Sequence, residues 1–440
     1  AEVIAALLLG AAPAEPGRTA ALRLDGARVT GTLDLGHSQV TGPVRLRHCE
    51  FDSVIDLSGA RTRDIDLEGS RLSGLAAPLA GIDGNLSLIG CECSGQVALT
   101  GAHVTGSLRM QEASLDHPGH AALLANRLVV DDDLIAAEAV VNGEMRLAGA
   151  RVGGIVLLDR AVVHAAGARR AVNAFNMHVA LDVLARSGFA ADGEVAFSDV
   201  RVGQNLDLRG ASFRNPGGNA LRCRKTDARR LVISGVTADG MVDFRYSRFT
   251  VIRDEPPWPE QLRLSGVSYD RLEPVLPAAR RVEWLRRDAD GYLPENYETL
   301  ASMYRGHGDD AAARTVLLAR ERERRRQLPW HARAWSLLQE ITVGYGYRPL
   351  RAGAWLAAFC VLGTVAFGLH RPAPVPGAPH PAFNSLVYSL DLLVPLVDFG
   401  LRNGYDPHGP LRWLAYLCVA VGWIFATTIA AGIARVLRRQ

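Results

Sequence analysis

Two carboxylates, Asp391 and Asp398, lie in an otherwise apolar segment, PAFNSLVYSLDLLVPLVDFG at 381–400. An ionised carboxylate inside a membrane segment costs ~2.5–3.5 kcal/mol at a helix centre, so it is expected to face water or a partner. Pro395 lies between the two acids and interrupts any shared helix. Two interpretations stay open. Asp398 lines a cation pore at the end of a re-entrant half-helix, or both acids are hydrated beside an interfacial helix.

Arginines form a second group of candidate binding residues. They end a basic helix near residue 326 and continue in TVGYGYRPLR at 342–351. Guanidinium groups near a membrane attract anionic headgroups. The candidate lipid contacts are Arg324, Arg325, Arg326, Arg348 and Arg351. TVGYG matches a potassium-channel filter in letters, but it precedes the first apolar span instead of lying between two spans.

Motifs for catalysis and metal binding are missing from the sequence. It has no GxGxxG after a strand, no P-loop, no HExxH and no GxSxG elbow. Cys91 and Cys93 lie two positions apart, but no second pair follows at ligand spacing, which favours buried hydrophobic roles. His37, His48 and His103 lie at coil positions where a surface or ladder role is expected rather than catalysis. A non-enzymatic role is therefore favoured, and no catalytic residue, cofactor or metal is predicted.

A five-residue motif recurs from about residue 20 to about residue 250, with a period close to 11 residues, or 22 per pair. It reads GTLDL at 31–35, GNLSL at 84–88 and GQVAL at 95–99. Strands this short cannot bury a face alone, so stacked coils of a parallel β-helix are predicted over 21–270. Segments 111–142 and 159–192 interrupt the pattern as loops on one face or as eroded coils. The leucines predicted to stack inward are Leu33, Leu35, Leu86, Leu88, Leu206 and Leu208.

Helical and apolar patterns predict the remaining elements. Gly308 is expected at the turn of one tetratricopeptide-like helix pair in the neck. The fold class is thus mainly β, a parallel β-helix (solenoid) followed by an α-helical neck and a two-span transmembrane hairpin. The predicted domains are an N-terminal cap at 1–20, the β-helix at 21–270, the neck at 271–349, and a membrane domain at 350–440 with spans 353–369 and 413–434 and connection 370–412.

Charge predicts the orientation and excludes one class of partner. The 49 basic and 46 acidic residues nearly cancel to +3, so bulk charge does not favour nucleic-acid binding. Residues 312–351 contain nine Arg against three Glu, whereas the connection is balanced. By the positive-inside rule, both ends face the cytoplasm of a multi-pass inner-membrane protein. Membrane lipids are the first predicted partners.

Nearly the whole chain resembles bacterial β-helix proteins of a pentapeptide-repeat-like kind with a C-terminal two-span membrane domain. The resemblance rests on the repeat, on YETLASMYRGHGDDAAARTVLLARERERRR, on TVGYGYRPLRA and on SLDLLVPLVDFG. Such proteins are commonly labelled membrane-associated oxidoreductase. The hypothesis favoured here is a membrane-anchored scaffold or sensor whose solenoid binds a protein partner and whose membrane hairpin forms a homo-oligomer. An oligomeric ion channel and a membrane oxidoreductase are the alternatives.

Overall fold

The computed structural model describes residues 1–11, 21–165, 167–330, 349–375, 382–394 and 398–437, without the side chains of 349–352 and 427–437. The chain divides into two compact units, Ala1–Ala313 and Arg314–Gln440. The first unit is a parallel β-solenoid of about 11 turns. The second is helical. Each unit is described by itself below.

Short strands build the solenoid. In chain order, β1 to β35 are Leu22–Asp25, Arg28–Val29, Leu33–Asp34, Val44–Arg47, Glu50–Phe51, Ile55–Asp56, Arg61–Thr62, Ile65–Asp66, Arg71–Leu72, Leu75–Ala76, Gly81–Ile82, Leu86–Ser87, Glu92–Cys93, Val97–Ala98, His103–Val104, Leu108–Arg109, Ser114–Leu124, Val129–Val130, Leu134–Ile135, Val140–Arg146, Arg151–Val152, Val156–Leu157, Val162–His164, Arg170–Asn173, His178–Val179, Val183–Leu184, Ala190–Asp192, Glu194–Ala196, Arg201–Asp207, Ser212–Arg222, Asp227–Val232, Thr237–Asp243, Arg248–Arg253, Leu262–Arg263 and Ser268–Glu273. Among the described residues, 18 of these strands form one sheet (sheet A) and 17 form the other (sheet B).

The register of the strands confirms the predicted repeat. Leu22 pairs in parallel with Val44, and Leu86 pairs with Leu108, each 22 positions further along the chain. Stacking gives each strand a neighbour in the coils above and below, and aliphatic side chains then fill the interior. The six leucines predicted to point inward are each 2% exposed or less. The β-helix prediction is therefore confirmed.

The two interruptions of the repeat are coils with extra residues. Strand pairs within 111–142 and 159–192 continue both sheets, including Leu134–Ile135 and Val183–Leu184. The register of β17 against β20 shifts between Asp116 and Ala121, where additional residues bulge out of sheet B. These segments are thus coils of the solenoid that carry additional outward loops. Both predicted alternatives, outward loops and irregular coils, are therefore partly correct.

Helices lie at both ends of the solenoid. Helix α1 (Glu2–Leu8) contacts β3, and the amino group of Ala1 donates to the carbonyl of Thr30 at 3.0 Å. At the other end, α2 (Ala278–Leu285) and α3 (Pro294–Gly306) pack together, and α3 contacts β35. Gly308 follows α3 with φ +78° and precedes α4 (Asp310–Arg326), so the predicted turn is present.

Besides most of α4, the described residues of the second unit contain three helices and a small two-stranded sheet. The elements are α5 (Pro349–Leu369), β36 (Ala373–Pro374), α6 (Ser385–Leu393), β37 (Tyr405–Asp406) and α7 (Pro410–Leu437). Asn384 caps α6 by accepting from the amides of Leu386 and Val387. Gly422 is required where α7 meets the end of α6, because a Cβ there would lie 2.2 Å from the carbonyl oxygen of Leu393.

The structure contradicts the predicted transmembrane hairpin. Over the part of the chain that is described, no helix is long and apolar enough to cross a membrane. In the helix that holds the first predicted span, side chains are described for 353–369, which is 17 residues or ~26 Å of helix against the ~30 Å of a hydrocarbon core. Of the second, 427–434 lies outside the residues with described side chains. The predicted multi-pass inner-membrane location is therefore wrong as well.

Candidate functional site: a basic groove beside an apolar ladder

Asp391 is a buried acceptor of backbone hydrogen bonds. Its carboxylate accepts from the amides of Phe399 at 2.9 Å, Leu401 at 3.0 Å and Arg402 at 2.7 Å, and the side chain is almost inaccessible. Asp398 is exposed and accepts from the amide of Gly400 at 2.7 Å. Together, the two acids accept hydrogen bonds from the backbone amides of residues 399–402. The pore interpretation of Asp398 required two spans and falls with them, and Pro395 lies outside the described residues.

The candidate lipid contacts are only partly described. Arg324 and Arg326 lie in the last turn of α4 and pair with Glu321 at 3.7 Å and with Glu323 at 2.9 Å. Arg325 lies in the same turn, where positive charge is favourable at a helix C-terminus. Arg348 lies outside the described residues. Arg351 lies in α5, but its side chain is outside the described part.

The cysteines and histidines lie where the sequence placed them. Cys91 and Cys93 are buried, and burial raises the pKa of both thiols, that of Cys91 to about 12. His37, His48 and His103 are exposed. Among the residues that the structure describes, no group of three or more His, Cys, Asp or Glu side chains is placed to hold a metal ion.

Basic side chains form a ladder on the outer face of sheet A. Arg151, His178 and Arg201 occupy the same outward position on three successive rungs, because Arg151 pairs with His178 and His178 with Arg201. Val129 precedes this run, and Asp227 follows it. The next residue on each rung is a valine that points inward, in keeping with the two-residue period of a strand. We call Arg151, His178 and Arg201 the basic ladder.

A groove of about 540 Å³ follows this ladder. Its lining includes two residues without a side chain, Gly153 and Gly203, and one with only a methyl group, Ala180. A Cβ on Gly153 would lie 2.0 Å from the carbonyl oxygen of Asp131, and one on Gly203 would lie 1.9 Å from that of Ala180. The close approach of the preceding coil therefore excludes a side chain at these two glycines, both of which line the groove.

About half of the other arginines of the solenoid have acidic partners. Such surface pairs contribute little stability, but they neutralise the local charge. The pairs include Arg63–Asp83 at 2.5 Å, Arg71–Glu92 at 2.9 Å, Arg186–Asp159 at 2.8 Å and Arg209–Asp207 at 2.6 Å.

The groove differs from these surfaces in its charge. Arg151 and Arg201 are exposed, and neither has a side-chain hydrogen bond or salt bridge to another described residue. Asp131, at one end, is bound by His103 at 3.0 Å. The centre of the groove therefore carries positive charge that the described residues do not neutralise.

An apolar ladder lies on the neighbouring face of the same coils. Ile135 pairs with Leu157, and Leu157 pairs with Leu184, all three at outward positions and half-buried. The same position holds Arg109 on the rung before and Asp207 on the rung after. We call Ile135, Leu157 and Leu184 the apolar ladder. It is bounded on both sides by charged residues.

Our sequence reasoning missed both ladders. The two-residue alternation identifies the inward leucines, whereas the ladders become visible only when outward positions are compared between coils. The signal is nevertheless in the repeats. Where earlier coils have Asp66 and Ser87, the later ones have Ile135, Leu157 and Leu184.

Comparison of the chain with protein-family models, with curated proteins and with solved structures gave no match. The resemblance to bacterial β-helix proteins labelled membrane-associated oxidoreductase therefore stays a prediction.

Proposed function

We propose that this chain is a β-solenoid scaffold that binds a protein partner through sheet A. The observation that carries the proposal is the position of the apolar ladder beside the basic groove on the same coils. Outward positions of a sheet that faces water are normally polar. Three aliphatic side chains on consecutive rungs, bounded by Arg109 and Asp207, depart from that rule within one limited area.

The physical properties of this surface suit protein recognition. Covering a half-buried leucine contributes on the order of 1 kcal/mol, and the adjacent unpaired guanidinium groups add direction to the contact. The stacked coils hold both ladders on rigid strands, so little side-chain or loop ordering opposes binding. Hydrophobic contacts flanked by complementary charge are the usual composition of a protein interface.

Site-specific photo-crosslinking tests the proposal. A photoreactive amino acid at Leu157, in the apolar ladder, is compared with one at Ser87, which occupies the same outward position two rungs before Ile135. We expect Leu157 to crosslink one or a few defined proteins in cells and Ser87 to crosslink none of them. Identical products from both positions, or none from Leu157, would contradict the proposed function.

The oxidoreductase label implied by the resemblance has a separate test. Flavin or haem absorbance in the purified protein would support it.

A further inference from the structure

The two arginines of the basic ladder are separated by a fixed distance. Arg151 and Arg201 lie two rungs apart, with His178 on the rung between them. Adjacent strands of a sheet are ~4.8 Å apart, so the two guanidinium groups start from backbone positions separated by ~10 Å. A ligand that contacts both arginines must therefore present two anionic groups about this distance apart along the solenoid axis.

Carboxylates limit the ligand at both ends of the groove. Asp131 and Asp227 line the two ends, and the basic ladder lies between them. A long polyanion such as a nucleic acid backbone would pass over both acids and be repelled there. A ligand with a short anionic centre avoids this repulsion. The charge pattern therefore favours a peptide segment with two acidic side chains over a nucleic acid.

The spacing selects a peptide conformation. In a polyproline II helix, three residues rise ~9 Å and return to the same face, which matches the distance between Arg151 and Arg201. In a β-strand, residues on the same face are ~7 or ~13 Å apart. An α-helix matches the spacing over seven residues, but its diameter of ~10–12 Å is large for a groove of about 540 Å³.

Building on the proposed scaffold function, we infer that the groove binds an extended, proline-rich segment of the partner with two acidic residues three positions apart. Each carboxylate accepts hydrogen bonds from one arginine, and the backbone of Gly153 and Gly203, which lines the groove without side chains, contacts the segment. The apolar ladder contacts the rest of the partner.

Fluorescence polarisation with a synthetic peptide tests this inference. The probe is fluorescein-labelled Pro-Pro-Glu-Pro-Pro-Glu-Pro-Pro, and the protein is the full chain. We expect binding that weakens about tenfold in Arg151→Gln or Arg201→Gln, because each loses a charge-assisted hydrogen bond. The matched control is Arg61→Gln, at the same outward position four rungs away, and it is expected to bind like the wild type. Circular dichroism verifies that each variant is folded.

Four results would overturn the inference. The first is that the probe does not bind measurably. The second and third are that a peptide with glutamine in place of glutamate, or one with its glutamates two positions apart, binds as tightly as the probe. The fourth is that a helical peptide or a single-stranded oligonucleotide binds more tightly than the probe. If Leu157 still crosslinks defined proteins in any of these cases, the scaffold function stands and only the ligand class is wrong.

Discussion

A buried ion pair at the C-terminal end of the solenoid allows a quantitative test of how that end is held. The side chains of Arg281 and Asp254 are 1% and 0% exposed. Arg281 donates from Nη1 to Oδ1 of Asp254 at 2.5 Å and from Nη2 to the carbonyl oxygen of Pro274 at 3.0 Å. Its guanidinium carbon lies 5.9 Å from the ring centre of Trp258 and 6.0 Å from that of Trp284.

Substitution Arg281→Met leaves the carboxylate of Asp254 buried without its partner. Breaking a buried pair in this way costs about 3–5 kcal/mol of unfolding free energy. The double variant Arg281→Met with Asp254→Leu removes both charges, so we expect it to lose less stability than the single variant. Urea unfolding followed by circular dichroism measures both values.

The loss is expected to depend on pH. Burial raises the pKa of the Asp254 carboxyl, and the charge of Arg281 opposes that rise. In Arg281→Met the positive charge that lowers this pKa is removed, so the pKa of Asp254 in the folded state rises further above its unfolded value. Protonation of Asp254 then favours the folded state at low pH, and this contribution is lost as the pH rises through the folded pKa. The destabilisation should therefore be smaller near pH 5 than near pH 8. A loss below ~1 kcal/mol, or an equal loss at both pH values, would refute this reasoning.

Three further predictions concern the core, the loop after α6 and self-association. Leu35→Asp buries a carboxylate and should lower the unfolding free energy by several kcal/mol. Asp34→Asn keeps an acceptor for the amide of Gly36 and should lower it by less than ~0.5 kcal/mol in the same urea-unfolding assay. Equal losses of stability in the two variants would contradict the inward and outward alternation. Asp391→Ala leaves three backbone amides without their acceptor and should lower the unfolding free energy by ~2–5 kcal/mol. Asp398→Asn should lower it by less than ~0.5 kcal/mol. Thermal unfolding of the two variants measures the difference. Exposed aromatic and aliphatic side chains on α5 and α7 predict that the chain forms a homo-oligomer. Analytical ultracentrifugation with and without non-ionic detergent tests this, and a monomer under both conditions would contradict it.

The sequence was sufficient for the solenoid because its signal is local. In GTLDL, alternation alone identifies Leu33 and Leu35 as inward residues, and both are buried. For 111–142 and 159–192 the sequence permits two interpretations, because irregular register shifts the period there. The length of two uncharged segments predicts the spans, but the structure contains no helix, among its described residues, that is long and apolar enough.

The candidate site was not predictable by the same local reasoning. Arg151 and Arg201 are 50 positions apart in the chain, and only the register of the coils places them two rungs apart on one ladder. Asp391 illustrates a different limit. Sequence shows an acid in an apolar segment, but not that residues 399–402 turn back to donate three amides to it.

The most direct test of the central claim is the crosslinking yield from Leu157 in cells when the groove is changed. Arg151→Glu reverses one charge of the basic ladder, and Arg61→Glu makes the same change on the same face outside the groove. If the solenoid binds its partner here, the yield should fall about tenfold or more in Arg151→Glu and stay at the wild-type level in Arg61→Glu. Equal yields in the wild type and in Arg151→Glu would contradict partner binding at this surface.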